Sequence, residues 1–143
     1  MAKNIIEQTI KLKASTGWIW NALTDRGELA NWWSEDVILE PKKGGAFKEP
    51  WEDDEGKKQV ASGKVVELKK EKLIVFTWRE KDWPKDAITE CSFVIEDAGS
   101  MRTLTVVHEG WETLPEAKRA QMMKDFKVGW GYHLKELKSY LDD

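Results

Sequence analysis

The chain has 143 residues, 41% of them hydrophobic and 34% charged, with a formal net charge of -3. That composition suits one folded domain over residues 1–143 rather than a disordered segment, and the weak negative charge gives no basic field for nucleic acid or an acidic lipid surface. Cys91 is the only cysteine, which excludes an internal disulfide and fits a reducing, cytoplasmic setting.

No stretch approaches the ~18 continuous apolar residues of a membrane span, so no membrane contact is expected. The opening MAKNIIEQTIKLKA scatters charges among its apolar residues, unlike a secretory leader. Within it, Ile6, Gln8, Ile10 and Leu12 alternate with Glu7, Thr9, Lys11 and Lys13, which predicts a first strand with one side on a core. Ser15 or Thr16 can then cap a short helix through Trp18, Ile19, Ala22 and Leu23, with Trp18 on its apolar side and expected in the core. Asp25 followed by Glu28 resembles a capping box for a second short helix that runs toward Trp32 and Trp33.

From Val37 to Gly110 the signals are extended: VILE, GGAF, SGKVVEL, LIVFTW, ITECSFVIE and RTLTVVHEG, separated by charged or turn-rich stretches. They predict a curved antiparallel sheet. Gly44-Gly45 permits a bend or bulge, and Asp54-Glu55-Gly56-Lys57 reads as a hairpin tip. Thr113-Leu114-Pro115-Glu116 offers a further capping box. After it, Met122, Met123, Phe126, Trp130, His133, Leu134, Leu137 and Leu141 recur at spacings of three and four, one amphipathic helix that needs the sheet as its partner. The fold class is therefore α+β, with two short helices after the first strand and a long C-terminal helix on the sheet.

The segments WIWNALTDRGELANWW, GGAF, SGKVVELKKEKLIVFTW, TLTVVHEGW and VGWGYHLKELKSYL, in this order and spacing, resemble the activator of heat-shock protein 90 ATPase homologue family, within the START-like helix-grip group. The resemblance covers nearly the whole chain. It implies a sheet curled around the last helix and a cavity between them that often admits an apolar small molecule. Such sequences commonly carry proline where the chain leaves the first strand; here that place holds Ala14-Ser15. The scaffold hosts lipid binders, aromatic-polyketide cyclases and co-chaperone domains, so it does not fix a function.

The nine tryptophans are the main positive signal. An indole brings a broad apolar face and one N–H donor, a combination suited to a flat ligand with carbonyl or hydroxyl groups. Trp32 and Trp33 are adjacent and cannot share a helical face, so one should pack inward while the other borders an opening. Trp78, Phe93 and His108 each share one side of a strand with apolar neighbours, and the resemblance implies that these sides face the helix. Phe126, Trp130 and His133 share a stripe of the helix itself, and Trp111 either guards the entrance or covers a loop. These nine residues form the expected ligand site.

Catalytic and metal templates fare poorly. Cys91, His108 and His133 lack the spacing of a zinc site, and neither a metal nor a cofactor is expected. Cys91 between Glu90 and Ser92 reads as a small core residue more readily than as a nucleophile. WEDDEGKKQ lacks the ligand pattern of a calcium loop, and GGAF lacks the helix of a phosphate cradle.

The favoured reading is a non-catalytic binder of a hydrophobic, aromatic or lipid-like small molecule. A chaperone-ATPase contact is implied by the resemblance alone. An aromatase/cyclase-like enzyme using His108 or His133 as proton shuttle is the third reading. With no strand edge or apolar patch plainly offered for self-association, a monomer is expected.

Overall fold

Period-two patterning from Ile5 onward is realised as strand β1, Ile5–Leu12, whose Ile6 and Leu12 are buried. Ser15 then caps α1, Thr16–Thr24, by accepting from the Trp18 backbone N–H. Asp25 caps α2, Arg26–Trp32, by accepting from the Glu28 N–H at 3.1 Å. The capping box is completed on one side only, because the Glu28 carboxylate instead accepts from the Tyr140 hydroxyl at 2.6 Å and so ties α2 to the last helix.

The computed structural model describes residues 4–142. The two ends of the expected domain, residues 1–3 and 143, and with them the first three residues of MAKNIIEQTIKLKA, lie outside the described residues. Six further strands follow α2: β2 (Ile38–Leu39), β3 (Ala46–Glu52), β4 (Lys58–Lys69), β5 (Leu73–Glu80), β6 (Thr89–Asp97) and β7 (Arg102–Glu109). They form one seven-stranded antiparallel sheet in the order β1-β7-β6-β5-β4-β3-β2. β2 to β7 make a simple meander, and β1 closes on β7 with Ile6 opposite His108.

Two glycines shape the sheet. Gly44 sits at φ +80 in the turn from β2 to β3, a conformation that L side chains rarely adopt. A Cβ at Gly63 in β4 would stand 1.8 Å from the Thr77 carbonyl oxygen, so the two strands approach each other there only without a side chain. Just beyond, the β4–β5 register shifts between Val65 and Glu67, a bulge that adds curvature. At the β3–β4 hairpin Asp53 Oδ1 accepts from the backbone N–H groups of Glu55 and Lys57, each at 2.9 Å, and Gly56 takes φ +78.

After a single 3-10 turn, Trp111–Thr113, helix α3 runs from Glu116 to Asp142. The expected Thr113 cap is not formed. The Thr113 hydroxyl is spent on the Ile88 and Gly110 carbonyls, and the helix starts only after Pro115, whose carbonyl accepts from Lys118 and Arg119.

α3 is fixed unevenly. Trp130, Leu134 and Leu137 are buried, whereas Met122, Met123 and Phe126 in its first half are only partly so. The C-terminal half is tethered by Tyr140 and by the Lys138 ammonium on the Lys11 carbonyl; near the middle, Gln8 of β1 donates to the Lys127 carbonyl at 2.8 Å. The helix thus follows the β1 edge and α2, and its first half stands off from β3 and β5.

Trp18 departs from expectation. The buried arc of α1 consists of Ile19, Trp20, Ala22 and Leu23, and Trp18 falls outside it, 49% exposed.

Candidate functional site

Between β3, β5 and the N-terminal two thirds of α3 lies a half-open cavity of about 520 Å³. Pockets of roughly 300–1,000 Å³ hold drug-sized ligands. Its walls are Trp33, just after α2, Trp51 on β3, Trp78 on β5, Trp83 in the β5–β6 loop, and Met122, Phe126, Gly129, Trp130 and His133 on α3. Three carboxyl groups also line it: Glu49, Glu80 and Asp125.

The rings hold one another in place. Trp33 and Trp78 lie nearly parallel, 15° apart, with centroids at 6.2 Å. Trp130 meets both edge-on, at 5.2 Å from Trp33 and 5.9 Å from Trp78, and Phe126 stands edge-on to Trp78 at 5.6 Å. Pairs of this kind contribute about 0.5–1.5 kcal/mol each beyond burial. Behind them, Phe47 packs on Phe76 at 4.6 Å and on Trp78 at 4.8 Å, a floor of fully buried or nearly buried rings.

Each of the two strand carboxylates is anchored by an indole. Trp33 Nε1–H donates to Glu49 Oε2 at 2.8 Å, and Trp78 Nε1–H donates to Glu80 Oε2 at 3.2 Å. Burial pushes the Glu49 carboxyl up from 4.5 to about 7 against the stabilising Trp33 bond, and the charge of Glu80 adds to the rise. Burial likewise raises Glu80, opposed by its bond from Trp78 and helped by the charge of Asp82.

Of the nine expected site residues, Trp33, Trp78, Phe126, Trp130 and His133 line the cavity; Trp32, Phe93, His108 and Trp111 are not among its lining residues. Trp32 packs inward and donates its indole N–H to the Ala22 carbonyl at 2.8 Å, joining α2 to α1, while its neighbour Trp33 borders the opening. Phe93 is fully buried and backs the wall edge-on to Trp130 at 5.7 Å. Trp111 guards no entrance. It is fully buried, donates to the His108 carbonyl at 3.0 Å and stacks obliquely on that imidazole at 4.6 Å.

His108 is sealed. Trp130 Nε1–H donates to His108 Nδ1 at 3.1 Å, which makes Nδ1 an acceptor and leaves the proton on Nε2, 2.8 Å from the Thr89 hydroxyl. Thr89 in turn donates to the Trp78 carbonyl at 3.2 Å. Burial drives the His108 pKa down to about 3, so this ring is a neutral strut that aims Trp130, and it does not fit the proton-shuttle role.

His133 does face the cavity. Burial lowers its pKa, opposed by the Trp32 carbonyl and Glu136, and its Nδ1 is buried without a hydrogen-bond partner of good geometry.

The strand register puts Cys91 directly opposite His108. Yet the thiol is buried and pushed well above its ordinary value while the imidazole is pushed down, the reverse of an activated pair. Among the described residues no group of three or more His, Cys, Asp and Glu is placed to hold a metal ion, and no helix is long and apolar enough to cross a membrane.

Sequence reasoning missed Glu49, Trp51, Glu80, Trp83, Met122, Asp125 and Gly129. Strand parity carried part of the signal: Phe47, Glu49 and Trp51 alternate along β3, as do Phe76, Trp78 and Glu80 along β5, so each carboxylate continues an aromatic face.

A curved antiparallel sheet gripping a C-terminal helix, with two short helices after the first strand, defines a helix-grip, START-like protein. More narrowly, the family model for Activator of Hsp90 ATPase homolog 1-like protein matches residues 13–142, and the chain belongs to that family. Among solved structures, protein CV1439 from Chromobacterium violaceum is similar at 23% identity and a TM-score of 0.80, over 98% of each chain. The Aha1 dimer from Colwellia psychrerythraea is similar at 24% identity and a TM-score of 0.76, over 96% of each chain. DynU16, a putative protein in the dynemicin biosynthetic locus, is 18% identical with a TM-score of 0.76; the match spans 98% of this chain and 48% of that one. These likenesses are of fold. No curated protein matches the chain by sequence.

Proposed function

We propose that the chain is a non-catalytic binding protein that takes a hydrophobic, aromatic small molecule into the cavity between β3, β5 and α3. The observation that carries this reading is the unfilled space of about 520 Å³ inside a wall of indole and phenyl rings. Cys91 and His108 are held in their unreactive forms, so that His133 and Glu49 are the acid-base groups left lining the cavity.

Gly129 supplies the test. It lines the cavity, and a Cβ built there meets nothing within 4 Å, so a large side chain enters empty space without disturbing the helix. Calorimetric titration of a naphthalene-based probe should give saturable binding to the natural chain and at least tenfold weaker binding to Gly129→Phe, with circular dichroism unchanged. Equal binding by the two proteins, or none by the natural chain across aromatic and aliphatic probes, contradicts the reading.

A further inference from the structure

The cavity carries charge of one sign. Its titratable lining groups are Glu49 from β3, Glu80 from β5, and Asp125 and His133 from α3; no lysine or arginine is among the lining residues. His133 is biased by burial toward its neutral form. An apolar cavity for a carboxylic acid, a phosphate or a sulfate needs a cationic or N–H donor at its polar end. Here the indole N–H groups of Trp33 and Trp78 are already given to Glu49 and Glu80, and that of Trp130 to His108. The wall therefore presents acceptor oxygens and ring faces and keeps these three donors occupied, so that only the neutral N–H groups of Trp51, Trp83 and His133 remain to meet an anion, with no cationic side chain beside them.

We infer that the ligand is an organic cation, an aromatic or alkyl ammonium whose charged head sits between the Glu49 and Glu80 carboxylates and the faces of the surrounding indoles. Ring faces carry the negative end of the aromatic quadrupole and attract a cation within about 6 Å, most strongly in tryptophan, and more so once the site is desolvated. Five tryptophans among the lining residues, Trp33, Trp51, Trp78, Trp83 and Trp130, supply such faces. The carboxylates supply the countercharge that a partly desolvated cation needs.

Without a ligand, the same enclosure makes two carboxylates poor neighbours, and Glu49 holds its proton up to about pH 7. A bound ammonium reverses that balance, so binding expels the proton, and affinity for a permanently charged ligand rises as pH passes upward through 7. The other titratable groups lining the cavity are the Glu80 and Asp125 carboxyls and His133, which burial biases toward its neutral form.

The inference rests on the cavity being a ligand site, and the test separates the two. Three probes of matched shape are titrated calorimetrically: naphthylmethyl-trimethylammonium, its uncharged carbon isostere neopentylnaphthalene, and naphthylacetate. The cation should bind at least tenfold more tightly than the isostere, with naphthylacetate weakest, and its affinity should increase several-fold from pH 6 to pH 8. Glu49→Gln keeps an acceptor for the Trp33 indole. It should lower affinity for the cation about tenfold and remove most of the pH dependence, with a far smaller effect on the isostere; Glu80→Gln provides a second variant with the same expected loss. Isostere or naphthylacetate binding as tightly as the cation overturns the inference while leaving the cavity reading intact. Failure of all three probes overturns both.

Discussion

Glu49→Gln makes a prediction about stability as well as binding. In the folded protein the Glu49 carboxyl releases its proton at about pH 7, against 4.5 for an ordinary glutamate, chiefly because burial disfavours the charge. The folded state thus holds the proton more tightly than the unfolded chain. Any stability tied to that proton is fully present below pH 4.5 and is lost as pH rises through about 7. At about 1.4 kcal/mol for each tenfold change in proton affinity, the full shift corresponds to a loss of about 3 kcal/mol at alkaline pH; with the carboxyl only half-buried, we expect about 2 kcal/mol. Glutamine mimics the protonated form and still accepts from Trp33 Nε1–H. Urea denaturation followed by circular dichroism at pH 5, 6, 7 and 8 should show the two proteins converging at pH 5 and Glu49→Gln more stable by about 2 kcal/mol at pH 8. A difference that is constant across this range, or that favours the natural chain at pH 8, would refute the placement of this carboxyl in a desolvated wall.

Three further outcomes follow from the packing. His108 should show the Nε2–H tautomer in nitrogen-resolved NMR and remain neutral from pH 8 down to pH 5, since its pKa lies near 3; a midpoint near 6.5 would mean that the ring reaches water. Gly63→Ala should lower stability by upward of about 3 kcal/mol or prevent folding, because its new methyl would meet the Thr77 backbone at 1.8 Å; denaturation or loss of soluble protein reads this out. Trp111 and Trp18 should separate in the same assay. Trp111→Ala, at a fully buried ring, should cost about 3–5 kcal/mol, and Trp18→Ala, half in water, less than about 1 kcal/mol.

Most of the architecture was legible because each element repeats its own period. The alternating strands from Val37 onward became a meander of neighbours, and the three-four stripe of α3 marked Trp130, Leu134 and Leu137 as its contact face. Local periodicity could not show that β1 closes on β7, since that pairing joins residues about a hundred positions apart. Nor could it show the tilt of α3. The first half of its stripe reads as core by spacing, yet Met122 and Phe126 border open space because the tethers act on the middle and C-terminal half.

The site was half legible for the same reason. Parity put Trp78 and His108 each on one side of its strand, and the family resemblance supplied which side turns inward; depth decides which inner residue meets a ligand, and His108 lies one layer below Trp130. Trp18 shows the limit of reading a helix of nine residues: with apolar side chains on several sides, the small Ala22 joins the buried arc and the large Trp18 does not. Glu49 and Glu80 were passed over because carboxylates on strands are ordinarily solvated; the aromatic residues two positions away were the available sign that these two are not.

Indole N–H resonances give the most direct measurement of the central claim, that this protein encloses a ligand against α3. With each tryptophan side chain assigned, titration of naphthylmethyl-trimethylammonium should shift the N–H signals of Trp33, Trp78 and Trp130 together and saturably, and leave Trp18 and Trp32 in place. Shifts confined to exposed Trp18, or spread evenly over all the indoles, would contradict it.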